Sequence, residues 1–302
     1  MRARTWTVFL AIGFALGIAA AILGPTAQAF VALPIGVTAC WCAFMTARRN
    51  PGPVRDTWTL FGFAAVGFIV AGVAQAVGKA VGIETFPSPS HIIYALGYIA
   101  LIAGTYRMGS IRSSGRNAAS HVDGFIMAIG ASTVVWAVVI WPYMVDPSTP
   151  MGERLVNAGF SVLAILLLAA PTRLAVGPGI RSSCYYLLAG AVSLVFITDV
   201  AATLASVDGR RSGLSLLLAP FIYTMYGAAA LHPGLSKLYE PPSDTVLQLT
   251  RKRIVLLACG LLVTPVMLAL IHFGGLDVSL SIMAIGSGLM AVVVLARFRL
   301  LV

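Results

Sequence analysis

Ionisable groups set inside apolar stretches are where this chain could do chemistry. Asp199 stands in Phe196-Ile197-Thr198-Asp199-Val200, with apolar residues on both sides. A carboxyl at membrane depth is costly unless it is protonated, hydrated or paired. It can bind a cation, a ligand amine or a proton, or it can tie helices together through an interhelical hydrogen bond. Gln75, Tyr94, Tyr98 and Tyr223 are the polar residues expected to gather with Asp199 in a ligand-binding cluster. His91, expected near the outer face, is a further candidate contact.

The remaining reactive side chains point to structure. Asp123 follows His121 at the start of an apolar run, where an acid complements the helix dipole and a surface pair with Arg112 or Arg116 is expected. No two of His91, His121, His232 and His272 have a metal-ligand spacing within one helix, and His232, in His232-Pro233-Gly234, is expected to cap the last carbonyls of the preceding helix. Cys40, Cys42, Cys184 and Cys259 fall in apolar stretches and read as small buried hydrophobes. Cys40 and Cys42 would point about 200° apart on a helix, so they cannot share a metal or form a bridge. There is no phosphate cradle, nucleophile elbow, zinc-protease motif or paired acids. The expectation is a protein without catalysis of its own in these residues, and without cofactor or metal.

The elements that must position these residues follow from composition. Hydrophobic residues make up 59% and charged residues 10% of 302, against about 45–50% and 25% in soluble chains. Mean hydropathy is +0.94. A soluble surface cannot be covered with so little charge, so the chain reads as an all-α integral membrane protein. Ten stretches are long enough to span, at roughly 20 apolar residues each: about 5–23, 29–47, 57–81, 88–107, 120–143, 154–172, 182–206, 212–231, 254–273 and 278–297. All must be helical, because unpaired backbone groups in lipid cost too much. Arg2 and Arg4 ahead of the first stretch have the look of a signal peptide, but its length favours a retained first helix over cleavage within residues 1–29. Pro34 and Pro265 are the prolines expected to interrupt spans.

The net charge of +10 does not signal nucleic acid, since the basic residues form short clusters between spans, with no solvated stripe. With the N-terminus in the cytoplasm, sixteen Lys and Arg lie inside and four outside, the four being Lys79, Arg154, Arg210 and Arg211. That bias satisfies the positive-inside rule and puts both termini in the cytoplasm, in a multi-pass plasma-membrane protein. Trp6, Trp58, Trp141, Tyr143, Tyr185 and Tyr186 fall near span ends, as belt residues do, while Trp41 and Trp136 are expected between helices. A shift of about 124 residues lays the second to fourth spans on the sixth to eighth, a parallel four-helix repeat. The expected division is a first four-helix unit at 1–118, a second at 119–235, a cytoplasmic loop at 236–252 and two last helices at 253–302.

Three stretches carry a family resemblance: Pro87-Ser88-Pro89-Ser90-His91-Ile92-Ile93-Tyr94-Ala95-Leu96-Gly97-Tyr98, Asp123-Gly124-Phe125 through Trp136 and Pro142, and Ala228-Ala229-Ala230-Leu231-His232-Pro233. Across roughly residues 48–240 the chain resembles the polytopic membrane input domains of actinobacterial signalling proteins. There such a domain precedes GGDEF and EAL domains, which make and degrade cyclic di-GMP, or sometimes a kinase. That family commonly has an acid where this chain has His91. The resemblance implies a sensory or anchoring module in the lipid bilayer, compatible with a homodimer, that answers a small molecule or membrane state. Its last helix would lead to a cytoplasmic cyclic di-GMP output domain, absent from these residues. The alternative is a secondary transporter of a small solute, proton-coupled through Asp199. Its usual inverted repeats and broken helices are not evident here, and Pro34 and Pro265 do not correspond.

Overall fold

Gly24-Pro25 and Gly52-Pro53 show how the chain reverses at the ends of spans. Gly24 and Gly52 adopt φ of 99° and 76°, a left-handed region that a side chain disfavours. Each is followed by a proline at the first helical position, where a missing N–H is harmless. The computed structural model describes residues 2–82, 87–112, 118–145, 147, 149–176, 182–207, 213–239, 251–274 and 280–299. The helices in chain order are α1 (Arg2–Leu23), α2 (Pro25–Arg49), α3 (Pro53–Ala80), α4 (Pro89–Arg112), α5 (Ala118–Val135), α6 (Trp141–Val145), α7 (Met151–Val176), α8 (Ser183–Val207), α9 (Leu214–Leu231), α10 (Arg251–Gly274) and α11 (Leu280–Arg299). A π-helical segment, Trp136–Ile140, joins α5 to α6, and a 3-10 helix, Pro233–Leu238, follows α9.

The protein is an all-α polytopic membrane protein. No strand occurs among the described residues. Among the described residues, eight helices are long and apolar enough to cross a bilayer, and α10 and α11 carry the shorter apolar stretches Leu257–Phe273 and Met283–Ala296. Most of the expected loop 236–252, and Leu301 and Val302, lie outside the described residues.

The helices form two compact units, one of residues Met1–Arg112 with Gly179–Pro241, the other of Ser113–Pro178 with Pro242–Val302. This partition by contact runs across the sequence blocks 1–118 and 119–235. α3 packs on α4, and α8 on α9, but α2 belongs to the first unit while its counterpart under the 124-residue shift, α7, belongs to the second.

In the first unit α9 packs against α1, α2 and α8, and α3 links α2 to α4. Within lipid, association rests on close van der Waals packing, so small residues mark the contacts. A Cβ on Gly13 would lie 2.2 Å from Thr224 Oγ1, and one on Gly17 3.0 Å from the Phe221 ring, which puts α1 directly on α9. α3 and α4 meet where a Cβ on Gly67 would come 3.0 Å from the Gly97 Cα. Trp58, Phe61 and Tyr226 form an aromatic centre with ring centroids 5.4–6.0 Å apart.

In the second unit α7, α10 and α11 pack on α5. A Cβ on Gly130 would stand 2.8 Å from the Gly260 carbonyl oxygen, and Ala137, Met267, Ile271 and Met283 form a buried cluster. The π segment has a local cause. Pro142 has no N–H and its ring crowds the carbonyl four residues back. The Trp141 N–H instead reaches the Trp136 carbonyl, five residues back.

Several expectations change. Trp58 and Tyr185 are not belt residues: they are 0% and 5% exposed in the bundle interior. Trp41 does not pack between helices and is 63% exposed. Cys259 is exposed, whereas Cys40, Cys42 and Cys184 are buried. Pro220 also lies inside a span, in α9, where the Thr224 hydroxyl donates to its carbonyl at 2.6 Å. Helix periodicity alone does not say which face meets a neighbour, and these residues sit on faces that only packing selects.

Candidate functional site

Asp199 lies on α8 within the first unit. Its Oδ2 is buried with no hydrogen-bond partner, and its backbone carbonyl accepts from the Thr203 hydroxyl at 3.0 Å. Tyr94 of α4 is its electrostatic neighbour, and Tyr223 of α9 is another neighbour of Tyr94. Three helices distant in sequence therefore bring a carboxyl and a second phenol within electrostatic reach of Tyr94.

The tyrosines are held by aromatic packing. Tyr94 and Tyr98, one turn apart on α4, have ring centroids 5.5 Å apart. Phe68 of α3 packs on both, at 5.0 Å from Tyr94 and 5.3 Å from Tyr98. Tyr98 is fully buried. The Tyr223 ring lies against α2 at Gly36, where an added Cβ would meet it at 3.2 Å. Such rings can face a small cation as well as line a polar site. No Lys, Arg or His forms an ion pair with Asp199 among the described residues.

Gln75 does not join this group: its side chain is exposed on α3. His91 is taken up by the α4 N-terminus. Its Nδ1 accepts from the Ser88 N–H at 3.1 Å and lies 2.9 Å from the Ser88 hydroxyl. This is the geometry of a capping box, with histidine reaching back from the third helical position. Asp123 is not a surface residue but is fully buried in α5. The side chains of Arg112 and Arg116, its expected partners, lie outside the described residues. His232 caps the helix after it, not the helix before it: its Nδ1 accepts from the Gly234 N–H at 2.9 Å, and its ring lies 4.5 Å from Trp6. Burial lowers its pKa from the usual histidine value.

A second polar group, not anticipated from the sequence, lies at the end of the first unit that holds the 3-10 helix. The Thr46 hydroxyl donates to the Ala230 carbonyl at 2.9 Å, joining the ends of α2 and α9. Beside this, Tyr226 Oη is buried without a hydrogen-bond partner, and the buried Tyr239 Oη and Trp58 Nε1 face each other. Tyr239 lies next to Thr57, Trp58 and Cys184, but the Thr57 hydroxyl gives its proton to the Pro53 carbonyl at 2.9 Å. Burial raises the Tyr239 pKa well above the ordinary phenol value, an effect that the nearby Thr57 and Trp58 only partly offset. The one sequence signal was the three-residue spacing of Tyr223 and Tyr226, which puts both on one side of a helix. Nothing in the sequence joined Tyr239 to them.

Comparison with protein-family models, with curated proteins and with solved structures found no match for this chain.

Proposed function

We propose that the chain is a membrane-embedded sensory and anchoring module without catalysis of its own, with Asp199 as the group that responds to the stimulus. It would sit in the plasma membrane with both termini in the cytoplasm and relay a signal to a cytoplasmic cyclic di-GMP output domain. The observation that carries this reading is the buried Asp199 Oδ2, unpartnered beside Tyr94. A lone acid inside a membrane bundle is costly and is a functional group by default. The sixteen-to-four split of basic residues supports the orientation, and the three sequence motifs support the output. The test is to fuse a diguanylate cyclase after Val302 and follow cyclic di-GMP while pH, osmolarity and small amines are varied. Wild type should respond and Asp199→Ala should not; a response unchanged in Asp199→Ala removes the acid from sensing.

The same acid favours a second reading, proton-coupled transport. Solute uptake into vesicles that is driven by a pH gradient and lost in Asp199→Asn would select it over the first.

A further inference from the structure

In the second unit, the seam between α5 and α10 has one polar level. On α5, Ile126, Gly130, Thr133 and Ala137 follow one another at steps of four, three and four residues. Gly260, Thr264, Met267 and Ile271 do the same on α10, and such spacing keeps each set on one stripe of its helix. The stripes face each other. A Cβ on Gly260 would meet Ile126 Cγ2 at 3.3 Å, and one on Gly130 would meet the Gly260 carbonyl at 2.8 Å. Further along, Ala137, Met267 and Ile271 share a buried cluster with Met283 of α11. The two helices therefore run parallel, with Thr133 and Thr264 at one level, a turn beyond Gly130 and Gly260. α11 meets them there, since a Cβ on Gly286 would lie 3.3 Å from Thr133 Oγ1. We propose that this level is a binding site for one water molecule, held by Thr264, Thr133 and the Leu261 carbonyl.

Thr264 is the group that needs it. The residue is 2% exposed, and its Oγ1 is buried with no hydrogen-bond partner. Seven threonines are buried among the described residues, and the other six each donate to a backbone carbonyl. Pro265 follows Thr264 inside α10. Having no N–H, it leaves the Leu261 carbonyl, four residues back, without its helical donor. The Thr133 hydroxyl gives its proton to the Ile129 carbonyl at 2.9 Å, so toward the seam its oxygen only accepts. One donor and two acceptors remain. A water accepting from Thr264 and donating to Thr133 Oγ1 and the Leu261 carbonyl satisfies all of them, with the three bonds or so that a buried water usually makes.

The guest is neutral. Carbonyl and hydroxyl oxygens also suit a small hard cation, but a charge in the membrane interior needs an opposite charge beside it. α10 and α11 contain no Asp or Glu. Asp123 of α5 precedes Thr133 by ten residues, about 15 Å along the helix, and Glu153 lies in the first turn of α7. Gly286 leaves the room, because the Thr133 hydroxyl oxygen is the one heavy atom that an added Cβ would meet within 4 Å. The water takes the place of the backbone donor that Pro265 removes, so α10 can bend at this level without giving up a helical hydrogen bond. The site lies within the second unit and is independent of the sensing role given to Asp199.

The test uses the full chain. Unfolding in denaturing detergent gives a sign: if the water is present, Thr264→Val removes its donor and should lower the folded-to-unfolded ratio by about fivefold, the worth of one hydrogen bond. Thr264→Ser, which keeps the hydroxyl, should stay much closer to wild type. With no water, Thr264→Val instead removes an unsatisfied buried hydroxyl, and a ratio equal to or above that of wild type overturns the proposal. Sodium chloride is then exchanged for choline chloride at equal ionic strength, which should leave the wild-type midpoint unchanged. A sodium-dependent rise that Thr264→Val abolishes assigns a cation and overturns the neutral guest. Should the variants fail to fold, electron cryomicroscopy of the wild type in lipid nanodiscs, at a resolution that shows ordered water, decides. A peak within hydrogen-bond distance of Thr264 Oγ1 and Thr133 Oγ1 supports the site. A direct bond from Thr264 to Thr133 or to the Leu261 carbonyl, with no peak between, overturns it.

Discussion

Replacing Gly13 by alanine should be among the most damaging single-methyl additions in the first unit. The new Cβ would stand 2.2 Å from Thr224 Oγ1 and 2.5 Å from its Cγ2, where carbon–carbon contacts want about 3.5–4.0 Å. Thr224 cannot simply turn away, because it is fully buried and its hydroxyl is bonded to the Pro220 carbonyl at 2.6 Å. Either α1 moves off α9 by more than an ångström or Thr224 gives up that bond. Overpacking of this kind costs about 1–3 kcal/mol and a lost hydrogen bond about 1 kcal/mol, so the expected loss is about 2–4 kcal/mol. Gly72→Ala is the control, since an added Cβ there meets nothing within 4 Å, and alanine's better helix propensity should make it neutral to stabilising. Unfolding by titration with denaturing detergent, followed by circular dichroism, measures both. Thr224→Ala should rescue Gly13→Ala in part, because the Thr224 Cβ remains at 2.9 Å, giving a favourable coupling in the double-mutant cycle. Equal midpoints for Gly13→Ala and Gly72→Ala would refute the α1–α9 contact.

The same measurement applied to the second unit should rank Gly130→Ala well below Gly288→Ala in stability, because the first meets the Gly260 carbonyl at 2.8 Å and the second meets open space. His232 supplies a pH dependence. Its folded pKa lies below the unfolded value of about 6.5 because burial disfavours the charged ring, and its Nδ1 must be unprotonated to accept from the Gly234 N–H. The stability it contributes is present above about pH 6.5 and is lost as pH falls through the lower folded pKa. Thermal midpoints should therefore drop between pH 7.5 and 5, and His232→Asn, which can still accept that bond, should flatten the drop. An unchanged profile in His232→Asn would assign the acid sensitivity to other groups.

Asp199 was visible from its apolar neighbours alone, because an ionisable residue in such a run has few uses. Its company was only partly visible. Tyr94 and Tyr223 are legible by type and depth, but Gln75, equally polar and in a span, is exposed on α3. A helix shows all its faces to the sequence, and only its neighbours decide which one is inside. The capping role of His91 was hidden for another reason: histidine is a rare stand-in for the Glu or Gln of a capping box, so the usual signature was missing.

By itself the sequence determined that the chain is helical and membrane-spanning, since lipid leaves an apolar stretch of that length no other way to satisfy its backbone. It also located the turns, where Gly24-Pro25 and Gly52-Pro53 stop one helix and start the next. The tertiary structure decided which helices share a unit, sending α8 and α9 back to α1–α4 and separating them from α5 and α7. It likewise brought Tyr239, beyond the end of α9, to the buried ring of Trp58. Both outcomes depend on side-chain shape matched across helices far apart in the chain, a property that apolar residues of similar hydropathy do not encode in their order.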